Sequence, residues 1–107
     1  MEVPSKIMHS IQETASKVLP IGAQMILFGS RARGDAREDS DWDLLILLEQ
    51  DKVNHDDYNN IAFPLVELGW KINAEINPLV YTYAEWGKRH FTPFYKNVEQ
   101  EGIVLWH

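Results

Sequence analysis

Gly29-Ser30-Arg31-Ala32-Arg33-Gly34-Asp35-Ala36-Arg37-Glu38-Asp39-Ser40-Asp41-Trp42-Asp43-Leu44-Leu45-Ile46-Leu47-Leu48 is the stretch whose reading decides the fold. It follows one apolar run, Met25-Ile26-Leu27-Phe28, and ends in a second, Leu44 to Leu48. Short apolar runs bounded by turn residues read as buried strands. The polar segment between them carries Arg31, Arg33 and Arg37 and is too short for a full crossover helix. The expected order is strand, phosphate-sized turn, short helix or loop, then a strand opening with carboxylates at i and i+2.

That spacing has a chemical consequence. Residues i and i+2 of a strand point to one face, so Asp41 and Asp43 project together while Trp42 points away. Their roots are then roughly 6–7 Å apart, within reach of a common pair of divalent ions about 3.5–4 Å apart. Such a pair serves in-line phosphoryl displacement. Magnesium suits it, because it takes one or two carboxylates together with substrate phosphates and water. At the other end, Gly29 lets backbone approach a ligand closely, and Ser30 reads as the N-cap of a following helix. A helix N-terminus presents N–H groups and a positive dipole to phosphate, and Arg31 and Arg33 add charge-assisted hydrogen bonds. One end is expected to hold a triphosphate tail and the other its two magnesium ions.

Gly29-Ser30, ten intervening residues and Asp41-Trp42-Asp43 resemble the Gly-Ser and Asp-x-Asp signature of the DNA polymerase β-like nucleotidyltransferase superfamily. The fuller string, Gly29 to Gly34 and then Ser40 to Leu44, is similar to its minimal nucleotidyltransferase branch, antitoxin type. The resemblance implies a nucleotide donor, usually ATP, two Mg2+ ions, and transfer of a nucleoside monophosphate to a hydroxyl. It also implies a third acidic residue, on a strand neighbouring the Asp-x-Asp strand, that helps bind metal and deprotonates the attacking hydroxyl. Proteins of this branch often form a pair with a helical HEPN-type ribonuclease, which they silence by transferring AMP to its tyrosine hydroxyl. The resemblance therefore implies a HEPN-type partner. Two other functions stay open. One is a nucleotide-binding partner subunit of a helical protein that catalyses little; the other is an antibiotic adenylyltransferase acting with a separate helical subunit.

The whole chain narrows the choice. Its 107 residues read as one nucleotidyltransferase domain, 1–107, above the size at which staples become necessary. The absence of cysteine rules out disulfides and thiolate metal sites. No apolar run is long enough to span a membrane, and residues 1–20 lack the pattern of a signal peptide, so a cytoplasmic chain is expected. A net charge of −6 argues against nucleic acid as a partner, which calls for a basic footprint. The expected acceptor is a protein or a small molecule.

Around the central stretch, residues 5–19 read as a helix capped by Ser5, with Ile7, Met8, Ile11, Ala15, Val18 and Leu19 on its apolar stripe. Residues 54–69 read as a second helix, capped by Asn54, interrupted by Pro64 and stopped by Gly69. In 71–81, Ile72, Ala74, Ile76 and Val80 alternate with Asn73, Glu75 and Asn77, the pattern of a half-buried strand. Glu75, a mid-strand carboxylate on the polar face, is assigned as the third acid and metal ligand, a glutamate where the family more usually has aspartate. Thr82 and Glu85 form a capping box for a short helix through Arg89. Thr92-Pro93 opens a helix to about Glu101 with Gly102 at C′, and Ile103–Trp106 is a last strand or packed tail. The expected fold is α/β (α+β), a small mixed β-sheet of three main strands with helices packed mainly on one face, as in polymerase β-like nucleotidyltransferases.

Overall fold

The structure, a computed structural model, describes residues 3–107, with side chains from Lys6 onward. Helix α1 (Val3–Val18) leads into β1 (Gln24–Phe28), the single turn α2 (Ser30–Arg33) and β2 (Trp42–Leu48). A π-helical turn, Tyr58–Ala62, runs into α3 (Phe63–Ile72), then β3 (Ile76–Thr82), α4 (Tyr83–Gly87), α5 (Pro93–Glu101) and β4 (Ile103–Trp106).

The sheet order is β3-β2-β1-β4. The short link between β1 and β2 allows only an antiparallel pair, and it sets Phe28 opposite Asp43. The longer link through α3 is a crossover, so β3 lies parallel to β2, with Asn77 level with Asp43. β4 closes the other side, antiparallel to β1.

Alternation along β2 explains the layering. Trp42, Leu44, Ile46 and Leu48 face one way and pack with Met25, Leu27, Ile11 and Ala15 of α1, and Leu65 of α3. Leu45 and Leu47 face the other way, with Ile26, and meet Trp86 of α4 and Val98 of α5. A strand buried on both faces needs an uninterrupted apolar run, which is what Leu44–Leu48 supplies. The larger helices share one face, as expected. The short helices α4 and α5 add a second, partial layer that leaves Asp43 half-buried at the end of the opposite face.

Several boundaries differ from the sequence reading. Helix α1 begins at Val3, so Ser5 falls inside its first turn; the Ser5 side chain lies outside the described residues. Pro64 sits in the first turn of α3, where its missing N–H costs nothing, and the wider π turn precedes it, with Phe63 N–H donating to the Tyr58 carbonyl. Gly69 does not stop the helix. It is buried within α3, where a Cβ would strike the Ala74 carbonyl oxygen. The stop is Asn73, in the left-handed region at φ 57°, ψ 47°. The third strand therefore starts at Ile76 rather than at 71.

The C-terminal caps form as read. Thr82 Oγ1 accepts from Glu85 N–H and Glu85 Oε1 accepts from Thr82 N–H, both at 3.0 Å. Thr92 accepts from Tyr95 N–H at the head of α5. Gly102 follows α5 but at φ −65°, not in the left-handed region expected of a C′ glycine. Its need is spatial: a Cβ there would crowd the Val98 carbonyl oxygen at 2.5 Å and Ile26 at 2.7 Å, so glycine lets α5 end against β1. No helix among the described residues is long and apolar enough to cross a membrane.

Candidate active site

The turn after β1 and the carboxylates of β2 meet. Gly29 has φ 79°, and a Cβ built there would stand 2.5 Å from Asp43 Oδ2. Both the conformation and the space call for glycine. Gly29, not Ser30, is the N-cap of α2, and Ser30 is its first residue, with no side-chain cap bond. The N–H groups of Ala32 and Arg33 both donate to the Gly29 carbonyl at 3.1 Å. Those of Ser30 and Arg31 have no internal acceptor among the described residues, as the opening of a helix dictates. Because α2 is one turn long, what it offers an anion is these N–H groups rather than a macrodipole.

Asp41 immediately precedes β2, and the ladder geometry reaches it: Trp42 N–H donates to the Glu75 carbonyl at 2.8 Å. Asp41 and Asp43 thus share the face opposite buried Trp42. From β3, Asn77 Nδ2 donates to Asp41 Oδ2 at 3.1 Å. Burial lifts the Asp43 carboxyl above the usual carboxylate range; the Asn77 amide opposes that shift, the Asp41 charge reinforces it and the Arg33 charge opposes it. Two hard-oxygen carboxylates pressed together in a partly desolvated corner, beside a turn with open N–H groups, fit a magnesium ion that completes its shell with phosphate and water. Among the described residues, no three histidines, cysteines or acids gather to hold a metal, so the protein's own acidic ligands would be this pair.

The other sequence-assigned residues divide. Glu75 is exposed and lies in the turn before β3, not in mid-strand. The cause is the extra helical turn of α3 and the Asn73–Ala74 corner, which hand the strand position level with Asp43 to Asn77. Glu75 accordingly does not join Asp41 and Asp43 in a three-acid cluster. Arg31 also leaves the site: its guanidinium donates to the carbonyls of Ser40 at 2.9 Å and Glu38 at 3.2 Å, and lies 4.5 Å over the Trp42 ring. It braces the loop that delivers Asp41. Arg33 stays near, paired with Asp35 at 3.3 Å and Glu101 at 3.8 Å, and it lines a small hollow with Gly29, Phe28 and Phe94. The sequence reading missed Asn77 as a site residue, although it stood in the same polar alternation as Glu75. It also missed an open groove of about 520 Å³ that runs from Asn77 to Trp70.

A one-turn helix after β1, an Asp-x-Asp pair at the head of β2 and a mixed sheet are the features expected of a nucleotidyltransferase. Residues 7–105 match the nucleotidyltransferase domain family, and the chain belongs to that family. A candidate protein adenylyltransferase of Methanocaldococcus jannaschii is 36% identical over 83 residues, which span 78% of this chain and 77% of that protein. Among solved structures, the fold is similar to that of a toxin–antitoxin complex with AMP-PNP, at TM-score 0.65 and 18% identity over 92% of this chain and 72% of that one. It is also similar to a mutant of the toxin–antitoxin pair MntA–HpeT, at TM-score 0.63 and 17% identity with the same coverage.

Proposed function

We propose that this enzyme transfers AMP from ATP to a tyrosine hydroxyl of a helical, HEPN-type toxin, and so acts as its cytoplasmic antitoxin, with residues 1–107 as one catalytic domain. The observation that carries the reading is the junction of Gly29 with Asp43 beside Asp41, which brings a phosphate-sized turn and a pair of carboxylates to one point. The M. jannaschii relative, named for protein adenylylation, and the toxin–antitoxin fold neighbours support it.

In this reading Asp41 and Asp43 hold two magnesium ions, which when bound supply charge neutralisation for the phosphates. Gly29, Ser30 and the backbone of Arg31 receive the β- and γ-phosphates, and the Arg33 side chain adds charge. Asn77 fixes the Asp41 carboxylate. The acceptor oxygen attacks the α-phosphorus in line and gives its proton to solvent water, the bond from that phosphorus to the bridging oxygen breaks, and pyrophosphate leaves with the electron pair. Positioning and charge stabilisation lower the barrier without a covalent enzyme intermediate.

One observation favours a second reading, a nucleotide-binding partner subunit with little catalysis: an amide, Asn77, stands level with Asp43 where a third acid would be expected. A single experiment separates the two. Protein co-purified with its helical partner receives magnesium and ATP labelled at the α-phosphate, with Asp43→Asn alongside. Label on the partner with wild type alone supports transfer. An unlabelled, stable complex that holds ATP supports the binding subunit.

A further inference from the structure

We infer that the hollow between the end of β1 and α5 receives the base of the nucleotide donor, with Phe28 and Phe94 as its aromatic wall and Asn97 and Glu101 selecting adenine. The inference rests on the ATP-binding part of the reading proposed above.

Position is the first argument. The hollow's lining includes Phe28, Gly29, Arg33, Phe94, Asn97 and Glu101. Phe28 and Asp43 are opposite partners in the antiparallel β1–β2 ladder, so their side chains stand on one face of the sheet. Gly29 is common to the hollow and the phosphate-sized turn, and it lies against Asp43 Oδ2. β4 starts level with Leu27, which brings the last turn of α5 to the same end of the sheet as the carboxylates. The larger groove at Trp70 does not share this position: Ile76 in its wall is level with Trp42 and faces away from Asp41 and Asp43. With the triphosphate on the Gly29-Ser30 turn and the α-phosphate at the carboxylates, the nucleoside stays on the open face, because α1 and α3 fill the other. The hollow lies on that open face, next to the turn.

Shape is the second argument. The hollow measures about 220 Å³. Pockets that enclose a whole small ligand run to roughly 300–1,000 Å³, so this one takes a single part of the donor. Phe28 and Phe94 meet edge to face, with ring centroids 5.4 Å apart at 74°. Trp86 fixes Phe94 from the inner side, edge-on at 5.5 Å. Both phenylalanines are half-buried, so two immobilised rings border the hollow with part of their surface open. Aromatic surface of this kind binds a base by stacking and does nothing for a phosphate.

The polar rim is the third. Asn97 and Glu101 stand one turn apart on one side of α5. An amide presents a donor and an acceptor side by side, which matches the adenine amine and its neighbouring ring nitrogen. Glu101, an acceptor only, takes the second N–H of that amine. Guanine turns a carbonyl oxygen to the same place, an acceptor set against a carboxylate. Glu101 also holds Arg33, Oε1 to Nη1 at 3.8 Å, and so ties the base hollow to the cation assigned to the phosphates.

The test uses 15N-labelled protein with magnesium and either the α,β-methylene analogue of ATP or inorganic tripolyphosphate. Both are expected to shift the amides of residues 29–34. The ATP analogue alone should also shift the Asn97 side-chain amide and the backbone of residues 94–101. Calorimetry with the α,β-methylene analogues of ATP and GTP should show adenine preferred by roughly tenfold. Asn97→Ala should remove most of that preference while leaving tripolyphosphate affinity and Tm unchanged, because residue 97 is exposed. Shifts at 29–34 with none at 94–101, equal affinity for the GTP analogue, or an unaltered ATP-analogue affinity in Asn97→Ala overturns the hollow while the ATP reading stands. Failure of both the ATP analogue and tripolyphosphate to bind removes that reading, and the inference with it.

Discussion

At Asp43 the proposed function and stability oppose each other. Its carboxyl is raised above the ordinary range, chiefly by burial and further by Asp41, so the folded protein binds that proton more tightly than the unfolded chain does. The sign follows. The apo protein is favoured at this residue when Asp43 is protonated, and the advantage disappears as pH rises from the ordinary carboxylate value through the raised one. Asp43→Asn should therefore melt a few degrees higher than wild type near neutral pH and level with it in acid, while losing magnesium-dependent ATP binding. Thermal scans across pH, paired with nucleotide titration, check both halves. Gly29→Ala should do the reverse of a stabilising alanine: its Cβ would meet Asp43 Oδ2 at 2.5 Å from a backbone at φ 79°. We expect a loss of about 1–3 kcal/mol and ATP affinity lowered by roughly tenfold or more, read by urea melts and calorimetry. Gly29, Asp41 and Asp43 were legible because strand periodicity and turn chemistry fix them locally. The arginines were not, since a long side chain can reach either way from one turn. Arg31 went to Ser40, Glu38 and Trp42, so Arg31→Ala should cost stability of about 1–2 kcal/mol, with Arg33→Ala the variant that weakens ATP binding by several-fold.

At the scale of elements, α3 decides which residue of β3 reaches the site. A glycine just past an apolar stripe reads as a helix stop, and that local logic fails here because Gly69 answers to a tertiary contact, the Ala74 carbonyl folding back against it. The helix runs on to Asn73, the strand starts late, and Asn77 replaces Glu75 beside the carboxylates. The Thr82–Glu85 capping box and the Thr92-Pro93 start were legible because both partners lie within four residues of one another. Gly69→Ala tests the distinction. Helix propensity alone would make it stabilising by about 1 kcal/mol, whereas the collision should make it destabilising by about 1–3 kcal/mol. Urea unfolding reads the sign directly, and a stabilised variant would show that the Ala74 carbonyl yields and that position 69 has no spatial need for glycine.

At the scale of the molecule, the short link made the antiparallel β1–β2 pair legible and alternation in β2 placed the carboxylates, whereas the parallel pairing of β3 entered only as a mixed sheet. The partial layer of α4 and α5 was not legible, because the aromatic residues that build it, Trp86, Phe94 and Tyr95, have no period that names their face. The resulting sheet brings the turn after β1, the acids at the head of β2 and the amide of β3 side by side, the three parts of the proposed site. A ligand that bridges them should hold the whole sheet, not one loop. Saturation at 100 times Kd adds about 2.7 kcal/mol, which for a chain of this size is roughly a 10 °C rise in Tm. Magnesium without ATP should give a small part of that rise, by relieving repulsion between Asp41 and Asp43, and ATP without magnesium almost none, because those acids repel its phosphates. Together they should give the full effect, with slowed amide exchange along β2 and the inner edges of β1 and β3. Protection confined to residues 29–34 would mean that nucleotide sits on the turn alone and that the carboxylates of β2 take no part in holding it.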